Sequence, residues 1–494
     1  MSLDLQFNRL ELSSSVLVRA SNKVECRIPL TEEESASVIK IDAVTYLGNA
    51  EVLKGEIRYS GKAVFTVLYK VDGGIKKYEA GVEYSFRFAC EDAKENSAIL
   101  GEVVIENPSI TQLNGIVTAS GIVVFKGQLS SKKEVEYFEK DKNLHIKKGE
   151  LIAVKEILNF SKENKIEEEF ETDDLISNVL LHSEKVSVID CQCGINSVIV
   201  DGEVEVNMLI EQMNKSVPTK IVKQIPFRVE VEVDGVSVDN YACVNALVKG
   251  ASIKVYVDES KNKSSISIEV NLLVCGSVYE NVNFEPCLDA YSKTNEIYIE
   301  KEKLKLNRIN GFKRIDFKVE NEISLNDDKN SRLICLLSDK IEEISVNGLD
   351  LTGAVTFNLL LENDGYFVES VTLPISFTLP LVGNVCNGLK GAVTEVEIKN
   401  KDVKPIISFK VSVCYLDFTE FDFDVIKKVS EGEVKTINDS AISVYIPKPN
   451  DSLWEISKEL GVTEDEILKI NGDLTFPLSG EERIVIYREI ETKD

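Results

Sequence analysis

The chain reads as mainly β, with three repeated antiparallel β-sandwich or open-barrel domains followed by a small α+β module of order βααβ. Three observations predict this. Up to about residue 430, short runs rich in Val, Ile, Phe and Thr alternate apolar and polar positions, the period of a strand. The same apolar segments return in register at intervals above 100 residues, too long for a solenoid, so each copy needs its own core. Beyond the last copy the period changes to that of helices.

The composition supports a folded, soluble-type chain. Of 494 residues 43% are hydrophobic, enough to fill several cores, and the formal charge is −26. That charge argues against a nucleic-acid surface, which needs clustered Lys and Arg to displace counterions, and against anionic lipid headgroups. The start, MSLDLQFNRLELSSS, lacks a basic segment followed by an apolar core, so no secretory signal is read there. No apolar run reaches the length of about 18 residues that a membrane helix needs. The expectation is a protein without membrane insertion that stays where it is made. Ten cysteines lie within β-like apolar segments, such as Cys275 in NLLVCGSV and Cys414 in KVSVCYLDF, and are expected as reduced core thiols. Cys191 and Cys193 share a strand face but lack a second Cys/His pair at metal spacing.

The repeats are carried by Gly61-KAVFTVLY, Gly202-EVEVNMLI and Gly353-AVTFNLLL, which align without gaps at intervals of about 140 to 150 residues. Val67, Met208 and Leu359 coincide, as do Leu68, Leu209 and Leu360, with Thr66, Asn207 and Asn358 at one polar position. A second strand follows each: Tyr84-SFRF, Ile225-PFRV and Leu373-PISF. Pro226 and Pro374 remove a backbone donor there, which predicts an edge strand or a strand entry. Further matches flank the pair, as in NKVE at Asn22 and NKIE at Asn164. The domains are expected at 1–148, 149–303 and 304–428, followed by a polar linker at 429–441 and the terminal module at 442–490.

Nothing in the repeats carries catalysis. His145 and His182 are the only histidines, each in a polar region near a domain junction, and are expected as solvated side chains. No nucleophile elbow, phosphate loop, zinc-protease motif or dinucleotide fingerprint occurs. In LDFTEFDFDV, Asp422 and Asp424 fall on one strand face and have the chemistry for a cation, but Phe421 and Phe423 alternate with them. The reading adopted is a half-buried strand with an acidic outer face. No catalytic residue, metal or cofactor is expected.

In the terminal module, SVYI alternates as a short strand and PKPND turns. Ser452 with Glu455, and Thr463 with Glu466, form two capping boxes that start two helices. Leu453, Ile456, Ser457 and Leu460 make one buried stripe, and Gly461 stops the first helix. Ile467, Leu468 and Ile470 are the expected buried face of the second. RIVIY returns as a strand. Trp454, the only tryptophan, flanks the first stripe at about 110° from its centre.

Taken in register, VYI, NDSLWEIS, GVTEDEILKIN and LSGEERIVI resemble the LysM domain. That resemblance implies binding of N-acetylglucosamine-containing glycans in a groove, whose face here holds Asp451, Ser452, Leu453, Trp454, Asn471 and Leu474. The β repeats resemble the SPOCS domain of spore-coat morphogenetic proteins, on the Gly61 strand and the Pro226-Phe227 strand. Repeats plus terminal LysM are similar to the layout of SipL-like coat morphogenetic proteins. This second resemblance implies an endospore-former and a place in the mother-cell cytoplasm at the forespore surface and in the spore coat. It also implies a non-enzymatic scaffold whose LysM face binds the SpoIVA coat ATPase, with other coat proteins as further partners. The module is acidic, with twelve Asp and Glu against six Lys and Arg from Ile442 onward. The alternative is a protein that binds peptidoglycan or another N-acetylglucosamine glycan of the spore cortex or envelope.

Overall fold

Period-two alternation gives every strand two chemically different faces, and in the computed structural model these strands stack into pairs of sheets. The structure describes residues 3–71, 74–95, 97–113, 116–213, 215–325, 331–342, 344–363, 365–399, 405–435, 442–472, 474–476 and 478–487. The first unit runs β1 (Gln6–Ile28), α1 (Glu32–Ala36), β2 (Val38–Leu53), β3 (Glu56–Val71), β4 (Gly74–Ala89), β5 (Ala98–Leu113) and β6 (Ile116–Lys140). After β7 (His145–Lys148) come β8 (Leu151–Thr172), β9 (Ile176–Gly194), β10 (Ser197–Gln212), β11 (Lys215–Glu232), β12 (Tyr241–Asp258) and β13 (Lys263–Phe284). After β14 (Cys287–Tyr291) come β15 (Asn295–Glu322), β16 (Arg332–Ile341), β17 (Ser345–Asn347) and β18 (Asp350–Glu362). The third unit ends with β19 (Tyr366–Thr378), β20 (Val385–Lys399) and β21 (Ile406–Val434).

Each unit is two antiparallel sheets over one core. The outer sheets are ordered β1-β6-β5, β8-β13-β12 and β15-β21-β20; the inner ones are β2-β3-β4, β9-β10-β11 and β16/β17-β18-β19. Among the described residues no hydrogen-bonded ladder joins the two sheets of a unit, so the alternative left open by sequence resolves to a sandwich. Pro226 and Pro374 lie in β11 and β19, which are edge strands as their missing donors require.

The repeated triplets have separate jobs. Val67, Met208 and Leu359 point inward into the three sandwich cores. Leu68, Leu209 and Leu360, one position on and so on the opposite sheet face, meet in a single cluster contributed by all three units. This second burial explains why the ends of β10 and β18 lose their alternation and become apolar on both faces. Around the cluster, β4 lies against β9, β11 against β16, and β19 against β2, so three head-to-tail seams close a ring.

The repeated glycines answer a close approach. A Cβ at Gly61 would run into the Tyr46 carbonyl and the Tyr84 ring, and one at Gly202 into the Phe227 ring and the Ser187 carbonyl. Both sit beside a register shift in the neighbouring ladder.

Outside the sandwiches the long strands continue and gather. Leu10, Leu12, Val135 and Tyr137 of the first unit meet Leu151, Ala153 and Phe284 of the second and Leu304, Leu306, Phe421, Phe423 and Val425 of the third. Here two boundaries shift. β15 starts at Asn295 and pairs with β21, so the third unit begins before residue 304, and β21 runs to Val434, so 429–434 is strand rather than linker. Residues 436–441 of the expected linker lie outside the described residues. The connections between units pair as β7 with β14.

The terminal module is β22 (Ile442–Tyr445), α2 (Leu453–Leu460), α3 (Glu464–Asn471) and β23 (Ile484–Tyr487), with β22 and β23 antiparallel. Ile456, Val462, Ile467, Leu478, Ile484 and Ile486 form its core. Among the described residues, no helix is long and apolar enough to cross a membrane.

Candidate functional site

Both capping boxes form. The Ser452 hydroxyl accepts from the Glu455 amide and the Glu455 carboxylate accepts from the Ser452 amide at 2.8 Å; Thr463 and Glu466 repeat the arrangement. Gly461 ends α2 at φ 64°, with its α-carbon side close to the Lys293 backbone. Ile456 and Ser457 are buried as the helical spacing predicts, while Leu453 and Leu460 are half-buried against the same core. On α3, Ile467 is buried but Leu468 is exposed. The α3 stripe is thus narrower than the sequence pattern implies, because only one side of this two-turn helix meets the sheet.

Most residues of the expected groove face are engaged in building the module. Asp451 accepts from the Lys448 amide at 2.8 Å and closes the turn before α2. Asn471 donates to the Ile467 and Val485 carbonyls and accepts from the Val485 amide at 2.7 Å, tying α3 to β23. Leu453 and Leu474 pack on the core. Ser452 is the helix cap.

Trp454 is placed elsewhere. It is 8% exposed and faces the trunk formed by the three sandwiches, not an open lip. Its indole Nε1 donates to Asp289 Oδ2 at 2.9 Å, and its ring meets Tyr291 edge-on at 5.0 Å. Trp454, expected beside the buried stripe on the groove face, is thus engaged within the chain: α2 turns its Trp454 flank onto β14. Lys458, one turn further along the same flank, donates to both oxygens of Asp289 at 2.8 and 2.9 Å. The Tyr291 hydroxyl donates to the Val462 carbonyl at 2.7 Å, and Lys293 pairs with Glu466 at 2.9 Å. Lys435, at the end of the trunk, donates to the Lys458 carbonyl.

The charges follow this packing. Burial opposes ionisation of Asp289, but the hydrogen bonds from Lys458 and Trp454 outweigh it and hold its pKa below the ordinary carboxylate value. Burial pushes the Tyr291 hydroxyl up to about 12, so it remains a donor. Asp289, Tyr291 and Lys293 were not legible as site residues. Their segment, CLDAYSK, reads only as a polar connection between strands.

A second feature was also missed. Ile442 lies opposite Tyr487, and Val444 opposite Val485, on the sheet face turned away from the helices. Ile442 is 59% exposed, Val444 58%, Ile446 66% and Tyr487 58%, an apolar strip on the outside of the module. Its signal was the alternation Ile442, Val444, Ile446, whose partner face already had Tyr445 for the core.

The remaining candidates become structural. His145 is half-buried rather than fully solvated and stacks on Tyr291 at 5.0 Å. His182 is largely buried and its Nδ1 lies 2.7 Å from Glu184 Oε1. Asp422 pairs with Lys303 at 2.7 Å and Glu420 with Lys305 at 3.1 Å, an outer acidic face over half-buried Phe421 and Phe423. Asp417 is fully buried and accepts from the Val382 and Gly383 amides. All ten cysteines are free thiols, and among the described residues no His, Cys, Asp and Glu group has the arrangement of a metal site.

Comparison with known proteins agrees with this geometry in one region. No curated protein and no solved structure matches the chain. The LysM domain family model matches residues 445–477, from the end of β22 to the loop after α3; the chain therefore carries a LysM domain, a module associated with glycan binding.

Proposed function

We propose that the chain is a non-enzymatic scaffold of spore-coat assembly whose LysM domain contacts a protein, the SpoIVA coat ATPase, at the forespore surface in the mother-cell cytoplasm. The observation that carries the protein contact is the apolar strip Ile442, Val444, Ile446 and Tyr487. Exposed apolar side chains scattered singly are ordinary, whereas a contiguous strip on a small module marks an interaction surface. Branched aliphatic side chains offer nothing to the hydroxyl and acetamido groups of a sugar; they fit the core of a protein interface. The trunk supports the scaffold part. Its three sandwiches close on one another through one apolar cluster, which gives the trunk the form of a rigid support. On this reading the three units are SPOCS-like repeats that supply further docking surface for coat proteins.

The second reading is glycan binding, favoured by the family match itself. Its site would be the end of the module before α2, where the Asn450 amide donates to the Leu478 carbonyl.

One experiment separates them. The full chain and its Val444→Asp variant are tested for retention on SpoIVA and on purified peptidoglycan. The expected result is SpoIVA binding weakened at least tenfold by the substitution, with no comparable peptidoglycan effect. Retention on peptidoglycan by both proteins, without SpoIVA binding by either, overturns the scaffold reading and leaves the glycan one.

A further inference from the structure

The contact between Trp454 and β14 has the form of a ligand in a recognition notch. On the module side, the indole N–H of Trp454 and the ammonium of Lys458 converge on one point, and both are donors. Two donors, one of them cationic, select an anion with acceptor oxygens over a neutral group. Near that point the Val462 carbonyl waits for a donor, and the Trp454 ring offers an apolar edge. On the trunk side a three-residue segment answers all four features. Asp289 supplies both carboxylate oxygens, Ala290 is a small fully buried spacer, and Tyr291 supplies the hydroxyl donor and the ring. The segment lies in β14, whose alternation brings Asp289 and Tyr291 to the same side, so the spacing is that of any extended acidic-x-aromatic peptide.

We propose that the α2 flank of the LysM domain is a binding notch for an extended protein segment carrying a carboxylate and, two residues on, a tyrosine, and that this chain keeps the notch closed with its own Asp289-Ala290-Tyr291. The internal segment holds the notch at an effective concentration in the millimolar range, so a segment from another protein enters only when it binds better or when the internal one is displaced. The surface is distinct from the outer sheet strip and does not depend on what that strip binds.

Trp454 is the only tryptophan in the chain, so its fluorescence reports on the notch alone. The probe is a synthetic peptide of the 285–294 sequence with Ser for Cys287, titrated into the full chain and into its D289A/Y291A variant. Circular dichroism checks that both remain folded. The opened variant should show red-shifted emission that the peptide reverses, binding at least tenfold tighter than to the unmodified chain. A peptide with Asn in place of its Asp should lose that advantage, as should Lys458→Ala added to the opened chain. Asp289→Asn, which keeps the shape and removes the charge, is the second variant should the double one not fold, with affinity between the two. Unchanged Trp454 emission in the opened chain, or no response to millimolar peptide, overturns the proposal. So does equal binding of the Asp and Asn peptides, which would leave only apolar adhesion.

Discussion

Lys185 of the second unit reaches Asp339 of the third, with its Nζ 2.6 Å from Oδ2, across a seam where Asp339 is almost fully buried. Glu205 lies 3.5 Å from the same ammonium. An ion pair this deep contributes little net stability over apolar residues of its size, yet removing one partner leaves the other charged and dry. Asp339→Ala should therefore cost about 3–5 kcal/mol. Lys185→Met and Asp339→Leu combined with Glu205→Gln, which neutralises the third charge of the group, should recover most of that loss. Urea unfolding of the native chain and the two variants checks this; a triple variant as unstable as the single one would mean the charged group is itself stabilising.

The cluster of Leu68, Leu209 and Leu360 has no counterpart in a single sandwich, because each leucine leaves its own unit to meet the other two. Leu360→Ala removes a fully buried side chain and should cost about 2–5 kcal/mol. It should also broaden the unfolding transition, since the units then lose part of what couples them. Leu17→Ala, at a side chain 83% exposed, should stay within about 0.5 kcal/mol. Calorimetry distinguishes coupling from local stability: a transition narrowed or unchanged in width by Leu360→Ala contradicts the shared core.

Gly61 and Gly202 are required by crowding rather than by backbone conformation. Alanine at either should cost about 1–3 kcal/mol through displacement of the neighbouring carbonyl or ring. Gly250 offers a control, with nothing near the position of its absent Cβ, so Gly250→Ala should be silent. Equal melting shifts at all three sites would remove the crowding account.

His182 gives the seam between the first two units a pH dependence. Burial disfavours its charged form, but the hydrogen bond and charge of Glu184, with Glu79 adding and Lys77 opposing, raise its pKa above 6.5. Glu184 and Glu79 also stand beside the buried Tyr46 hydroxyl. A pKa raised on folding stabilises fully below the unfolded value, so the contribution is present below about pH 6.5 and is lost as pH rises through the folded pKa. The slope is at most about 1.4 kcal/mol per pH unit. Stability measured from pH 5.5 to 8.5 should fall with pH in the native chain, and His182→Gln should flatten that part of the curve.

What sequence made legible followed from local chemistry. Alternation marked the sandwiches, prolines marked β11 and β19 as edges, and the Ser452 and Thr463 boxes marked both helix starts. The alignment even paired the leucines that meet at the centre, although nothing in it distinguished their face from that of Val67, Met208 and Leu359. Missed features were long-range. That Trp454 packs on Tyr291 depends on a segment far earlier in the chain, and a helical wheel registers only that the ring lies beside the buried stripe. His182 reads as solvated until β4 covers it. Likewise, the linker ends of the units look polar because their strands bury one face against other units and offer charges on the other.

Ring closure sets a time order on synthesis. Each sandwich can form once its own strands have emerged, but β19 must lie against β2 before the circle is complete. At about 5–20 residues per second, a ribosome needs on the order of tens of seconds to travel from Leu68 to Leu360. Through that interval the first two units carry a bare apolar facet with no mate, and a neighbouring nascent chain at the same stage carries the same one. The last repeat is thus also the cap that ends this exposure, and a transcript that stops short of it releases a sticky product.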